Sequence, residues 1–289
     1  VNPLFAAVNG VLLPSEQASL QISDLSIQRG FGVFDFFKTL NYNPVFLEEH
    51  LDRFFRSAAG LRLDVGRTKG ELRGSIALVQ EKNRLPYSGF RLTLTGGYST
   101  DGITPSKANL VISQVPLPGV ISAQVQPSIR LVSYPHRRQL PEIKSIDYLM
   151  AIWLQPYIRE CGADEVLYHL DGSISECPRS NFFMVTADDV IVTPARGILP
   201  GIIRGKVLEL ARQQFVVEVR DVTLGDLAEA KEAFITSTTK HVLPVAQVDG
   251  VVFGEAGPVA RWLNAELYAL VEVGQAPKAE GRHQSDGVD

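Results

Sequence analysis

Cysteine is scarce in this chain of 289 residues: Cys161 and Cys177 are the only two. Two cysteines make neither a disulfide framework nor a zinc-ligand pattern, so a reducing, cytoplasmic setting is expected. His50 and His136 lack metal-ligand companions at useful spacing, and no metal is expected. Long apolar runs are also missing; none approaches the ~20 residues that cross a bilayer. The opening VNPLFAAVNGVLLP has no basic flank and is broken by Pro3, Asn9-Gly10 and Pro14, which argues against a signal peptide. Positive charge is not in excess. The formal net charge is −4, so neither nucleic acid nor an anionic membrane is an expected partner. No GxGxxG follows a strand and no GxxxxGKS occurs, which argues against a doubly wound nucleotide-binding fold. What remains is an ordinary globular balance, 45% hydrophobic and 21% charged, able to fill a sizeable core.

Strand signals dominate, with helices segregated between groups of them, which predicts an α+β (α/β) protein of two domains. VNGVLLP carries an Asn-Gly hairpin turn. VFDFFKTL (33–40) reads as a buried strand. LEEHLDRFFRSAAGLRL (47–63) is helical, with Leu47, Leu51, Phe54, Phe55, Ala58 and Leu61 on one stripe and Gly60 as a candidate cap. RLTLT and NLVIS are strands. The Pro- and Gly-bearing stretch VPLPGVISAQVQPS is the best linker candidate. The expected division is a smaller N-terminal α/β domain over 1–117, a linker at 118–128, a larger C-terminal domain over 129–275 and a loose tail at 276–289. Further helices are expected at about 146–160, 201–214 and 258–272, with short antiparallel strands between the first two.

Five features can carry chemistry, each with a plainer reading beside it. Lys144, in PEIKSIDY, sits between apolar Ile143 and Ile146; a desolvated lysine loses proton affinity, and its free amine can form a Schiff base. A surface loop lysine is the plainer reading. Glu176, in DGSISECPRSNFF, ends a strand; it can partner a ring nitrogen or merely pair with Arg179. LPGIIRGKV (199–207) opens a helix whose unpaired N–H groups make an anion site, or is only a loop-to-helix junction. TSTTK (236–240) places hydroxyls at a strand end, which suits phosphate oxygens or simply reflects β-propensity. Arg53 lies beside its helix's apolar stripe and can point into a cleft. Arg56 reads as a solvated partner for Glu48, Glu49 or Asp52. Cys177 reads as a packing cysteine rather than a nucleophile.

Taken in this order, the stretches RGFGVFDFFKT, EEHLDRFFRSA, EIKSIDY, GADEVLYHLDGSISECPRSNFFMV, VTPARGILPGIIR and AFITSTTKHVLPV resemble the class IV aminotransferases. These are the fold-type IV pyridoxal-phosphate enzymes, which include branched-chain aminotransferases, D-amino acid transaminases and aminodeoxychorismate lyases. The match runs from about residue 20 to 250. It implies a two-domain fold with the cofactor, pyridoxal 5'-phosphate, in the interdomain cleft and the C-terminal domain binding it, usually in a homodimer. Lys144 resembles the catalytic Schiff-base lysine that shuttles a proton between substrate Cα and cofactor C4′. Glu176 resembles the partner of the pyridine nitrogen, with Arg138 as support for it. Arg53 resembles the phosphate-binding arginine; Ile202 and Ile203 would add backbone N–H groups, and Thr238 or Thr239 a hydroxyl. Tyr148 resembles the tyrosine that bonds the ring hydroxyl, and Leu199 would pack on the ring face. Three departures stand out. Ile203 replaces a common threonine, ECPRSN replaces a smaller glycine-rich turn and so brings Arg179 near the substrate, and the Lys144–Tyr148 spacing is one residue short of typical branched-chain enzymes.

A substrate carboxylate prefers a bidentate arginine. Arg29 precedes a Gly-X-Gly bend, and Arg91 shares a strand face with Thr93 and Thr95. Arg29 can equally pair with Asp24 or Asp35, and Arg91 can be a strand-edge charge. This arginine pair resembles a less common subgroup of D-amino acid transaminases, which implies D-alanine or D-glutamate with 2-oxoglutarate or pyruvate. Phe31, Phe34 and Phe36 can instead furnish the apolar pocket of a branched-chain L-amino acid aminotransferase. An aminodeoxychorismate lyase and a cofactor-binding protein without turnover are the remaining readings.

Overall fold

The computed structural model describes residues 3–117 and 126–273. Residues 118–125 of the expected linker, and all of the expected tail at 276–289, lie outside the described residues. The first sheet contains β1 (Phe5–Val8), β2 (Val11–Pro14), β3 (Gly32–Leu40), β4 (Asn43–Pro44), β5 (Ser88–Thr95) and β6 (Leu110–Pro116). Its order is β2-β1-β6-β5-β3-β4, antiparallel throughout. The second sheet follows with β7 (Ile129–Pro135), β8 (Glu165–Leu170), β9 (Ser173–Ile174), β10 (Glu176–Cys177), β11 (Ser180–Thr186) and β12 (Ile191–Pro194). It is completed by β13 (Val217–Arg220), β14 (Val222–Thr223), β15 (Ala230–Ser237), β16 (His241–Val248) and β17 (Val251–Val252). It is mixed: β7 runs parallel to both β16 and β8, while β11, β15 and β16 are antiparallel. The chain is thus a mixed α+β protein. Its two sheets fall on either side of the linker, which supports the two-domain division we propose.

Among the described residues, seven α-helices accompany the sheets: α1 (Leu25–Arg29), α2 (Leu47–Gly60), α3 (Lys69–Asn83), α4 (Leu149–Trp153), α5 (Gln155–Glu160), α6 (Ile202–Ala211) and α7 (Pro258–Val273). The stripe read on α2 packs as expected. Leu51, Phe54 and Ala58 are buried against Val33, Phe37 and Phe90, with Leu47, Phe55 and Leu61 at the margin. Full burial of each large side chain there contributes about 1.5–3 kcal/mol. Gly60 closes the helix for a different reason from capping. It is the last helical residue, and a Cβ there would lie 2.7 Å from Ile143 Cδ1.

The Asn-Gly hairpin forms, with Asn9 and Gly10 both at positive φ as a tight two-residue turn requires. The helix expected over 146–160 is instead two short ones. Pro156 stands at the start of α5, where its missing N–H costs nothing, and Leu154 separates the pair. The helix expected over 201–214 ends at Ala211. The N-terminus of α7 is closed from a distance: the Glu232 carboxylate of β15 accepts from Val259 N at 3.2 Å and Ala260 N at 3.1 Å.

Two helices, α1 and α3, were not expected. α3 buries only Leu72, Ile76 and Val79, so its periodicity is faint. Its start was legible all the same: Thr68 and Glu71 form a reciprocal capping box, each side chain accepting the other's backbone N–H. Thr68→Ala should lower unfolding free energy by about 1 kcal/mol in urea titrations, while leaving the interior of the cleft between the sheets unaltered.

Candidate active site

The side chains of β3 alternate between two environments. Val33, Asp35 and Phe37 face α2 and its core, and Phe34, Phe36 and Lys38 face the other way. Register places Phe36 opposite Arg91 and Lys38 opposite Gly89, so Arg91 belongs to this second face, as its strand alternation implied. Gly89 is required there, because a Cβ would sit 2.2 Å from the Phe36 ring.

Lys144 comes from the far side of the linker, yet it is fixed to β3. Phe34 N–H donates to Lys144 O at 2.9 Å, and Ile146 N–H donates to Gly32 O at 3.0 Å. Lys144 N–H donates to Ser57 Oγ of α2 at 3.1 Å. These bonds join the segment around Lys144 to the edge of β3 by a single antiparallel bridge, Val33 to Ser145. Its amine lies 4.6 Å from the centre of the Phe34 ring, and the Arg91 guanidinium lies 3.9 Å from it. Phe34 therefore carries two cations near its ring, and Tyr148 packs 5.8 Å from it. Burial, reinforced by the charge of Arg53, pushes the Lys144 amine down to about 7. Burial pushes the Tyr148 phenol up, against the pull of Arg138 and Arg91.

These residues border a cavity of about 490 Å³ between the sheets. Glu176 lies in its wall and is held by four donors. Arg138 Nε and Nη2 reach Oε1 at 2.9 and 2.7 Å; Asn181 Nδ2 and Leu199 N reach Oε2 at 3.1 and 2.9 Å. Burial raises the Glu176 carboxyl, and Arg138 chiefly opposes this. A group that only accepts, facing four donors, is a carboxylate. The alternative pairing of Glu176 with Arg179 does not occur: Arg179 lies 3.5 Å from Glu165 and keeps its guanidinium exposed at the cavity.

A second cluster gathers polar groups whose one acid, Asp35, is already paired. Arg53 is clamped by Asp35, with Nε and Nη2 each donating at 2.8 Å. His50 Nδ1 sits 2.7 Å from the same carboxylate. Arg53 and then His50 hold Asp35 well below the usual carboxylate range despite complete burial. Gly201 caps α6 with no side-chain bond, which leaves the first N–H groups, those of Ile202 and Ile203, to the cavity that both residues line. A Cβ at Gly201 would lie 2.1 Å from Asn181 Oδ1, so only glycine fits. Ser237, Thr238 and Thr239 line the same space. Ser180 Oγ, buried at the wall, meets no donor or acceptor among the described residues.

The cavity thus brings together twelve of the thirteen residues expected from sequence: Phe34, Arg53, Arg91, Lys144, Tyr148 and Glu176, together with Arg179, Leu199, Ile202, Ile203, Thr238 and Thr239. Arg29 is the exception. It ends α1, is exposed, and donates to Gln28 O; it pairs with neither Asp24, which caps α1, nor Asp35. Arg138 takes the supporting place expected for it. Asp35, His50, Asn181 and Ser57 were not anticipated. The i,i+3 pair His50 and Arg53 was the one available signal, since two polar residues that close on a largely apolar helix face suggest a shared partner. Among the described residues, four guanidinium cations (Arg53, Arg91, Arg138 and Arg179) and the Lys144 amine line the cavity against the one carboxylate of Glu176, an electrostatic setting for an anionic ligand. No described helix is long and apolar enough to cross a membrane.

The profile of the class IV amino-transferases matches residues 32–248. A putative branched-chain-amino-acid aminotransferase of Methanocaldococcus jannaschii is 30% identical over 274 residues, covering 90% of this chain and 94% of that protein. A D-alanine aminotransferase of Listeria monocytogenes is also 30% identical, over 93% of this chain and 96% of that one. A branched-chain amino acid aminotransferase from T.th., solved with pyridoxamine 5'-phosphate, superposes with a TM-score of 0.85 at 25% identity, covering 96% of each chain. With sequence, fold and cavity in agreement over most of its length, the chain belongs to the class IV aminotransferases.

Proposed function

We propose that this enzyme is a D-amino acid transaminase that moves the amino group between D-alanine or D-glutamate and 2-oxoglutarate or pyruvate. The observation that carries the reading is Arg91, stacked on Phe34 beside the Lys144 amine and bordering the cavity. An arginine there offers a carboxylate a bidentate partner next to the reacting nitrogen. Arg179, exposed at the same cavity, adds a second cation on the substrate side. A branched-chain L-amino acid aminotransferase is the second reading, favoured by the apolar lining of Phe34, Phe36, Ile146 and Ile152. Arg29 stands outside the cavity of its own chain; in the homodimer implied by the family resemblance it would serve the partner's.

The residues fit pyridoxal 5'-phosphate. Arg53, the N–H groups of Ile202 and Ile203, and Thr238 or Thr239 are suited to its phosphate. Ser180, a buried hydroxyl without a partner among the described residues, is a further polar group for it to meet. When bound, the cofactor supplies an aldehyde for the amino group and a ring that spreads the negative charge left at the substrate Cα. Glu176, immobilised by Arg138, Asn181 and Leu199, would keep a proton at the ring nitrogen. Tyr148 and Leu199, which line the cavity, would bond the ring hydroxyl and pack on the ring face. With its pKa brought down to about 7, the Lys144 amine has a substantial neutral fraction at that pH, so it can act as a nucleophile and can take the Cα proton.

Three outcomes are expected. The rate of cofactor uptake by the apoprotein should rise with pH, reach half its maximum near pH 7 and then level off, because only the neutral Lys144 amine attacks a carbonyl. Lys144→Ala should leave no cofactor fixed after borohydride reduction, read by mass spectrometry. A plateau reached only near the ordinary lysine range, or fixation in the variant, would remove Lys144 from this role. Arg91→Ala should raise the KM for D-glutamate by roughly 10- to 100-fold, the loss of one charge-assisted contact. Unchanged D-glutamate kinetics would take Arg91 out of carboxylate binding and favour the branched-chain reading.

A further inference from the structure

Lys38 lies on the cavity-facing side of β3, two residues beyond Phe36, and is 6% exposed. No carboxylate pairs with it among the described residues. Its partner is His241, whose Nε2 lies 2.9 Å from Lys38 Nζ, 203 residues away in sequence. Burial pushes the ammonium down to about 8; burial and then the Lys38 charge push the imidazole down to about 3. The imidazole is therefore neutral and accepts, and the ammonium donates. A buried cation with one neutral acceptor costs stability that an apolar residue of similar size would not.

His241 is the residue that closes the turn after β15. It pairs with Ser237 across that turn, so residues 238–240 form the loop itself. Lys240 N–H donates to Ser237 Oγ at 3.2 Å inside the loop. His241 has φ of 55°, a left-handed conformation that a non-glycine residue adopts only when its surroundings hold it there. Thr238 and Thr239, which line the cavity, ride on this loop. The Lys38–His241 bond ties it to the strand that carries Phe34 and Phe36.

We propose that Lys38 and His241 are a positioning pair: the Lys38 ammonium, by donating to His241 Nε2, fixes the 238–240 turn against β3 and so sets the hydroxyls that meet the cofactor phosphate. The inference rests on the reading of that turn as part of the phosphate site. Neither residue lines the cavity; both act through Thr238 and Thr239.

The test uses the apoprotein, titrated with pyridoxamine 5'-phosphate and, in parallel, with pyridoxamine, which lacks the phosphate. Neither ligand depends on attachment to Lys144. Lys38→Met should weaken the phosphorylated ligand about tenfold and leave pyridoxamine unchanged, the size of one lost hydrogen bond to a charged group. Lys38→Arg should restore most of the affinity. His241→Phe should match Lys38→Met, and the double variant should be no worse than either single one. Should Lys38→Met fail to fold, His241→Phe decides by the same criteria. Unchanged affinity for pyridoxamine 5'-phosphate, or an equal loss for both ligands, would overturn the pairing role. The combined Thr238→Ala and Thr239→Ala variant separates the two levels. If it weakens the phosphorylated ligand while Lys38→Met does not, only the positioning pair fails. If it binds as the parent does, the phosphate reading of the turn fails, and the pair with it.

Discussion

The two backbone bonds between β3 and the segment around Lys144 are the constraint on which the rest of the site depends. Gly32 O accepts from Ile146 N–H, and Phe34 N–H donates to Lys144 O. Through them a lysine encoded after the linker becomes part of the first sheet's edge. Backbone donors and acceptors at a buried edge must be paired, so the contact fixes the lysine's position as firmly as a strand register does. Its close approach bears on two glycines: a Cβ at Gly32 would lie 3.1 Å from Ile146 Cδ1, besides 2.7 Å from Leu94 O of β5, and one at Gly60 would meet Ile143. The amine that results is buried and flanked by the guanidinium of Arg53, which is what lowers its proton affinity.

Around that amine the cavity separates its charges. Arg53 is paired with Asp35 behind the wall, so its orientation is set and Nη1 is left by those bonds for the cavity. Glu176 is matched by Arg138 on one oxygen and by neutral donors on the other. Arg91 lies over an aromatic ring and Arg179 is only loosely tied to Glu165. The tightly paired charges suit roles that must not move. Those with freedom suit recognition of carboxylates that arrive and leave.

How far the site could be read from sequence follows from the range of its contacts. Lys144, Glu176, the Pro200-Gly201 helix start and the hydroxyl run each had a local signature, and their order along the chain gave the family. Apart from Arg138, and the i,i+3 spacing of His50 and Arg53, the residues that hold them had none. Asp35 meets Arg53 across 18 residues, Glu176 meets Arg138 across 38, and Lys38 meets His241 across 203. Such pairs are made by topology, which no spacing rule records. The fold shows the same division. The buried strand β3 and the striped helix α2 were legible, and α3 was missed because three buried positions leave little period to read. Arg29 shows the limit from the other side: the Gly-X-Gly bend beside it was real enough for α1 to end there at Gly30, yet its own chain gives it no place in the cavity.

The stereochemical reading is tested most directly by the visible absorption spectrum of the purified holoenzyme as D-glutamate, D-alanine and L-leucine are added separately. Bleaching of the bound-cofactor band by D-glutamate and D-alanine, with no change on adding L-leucine, is the predicted result. Bleaching by L-leucine alone would contradict it and assign the cavity to branched-chain L-amino acids.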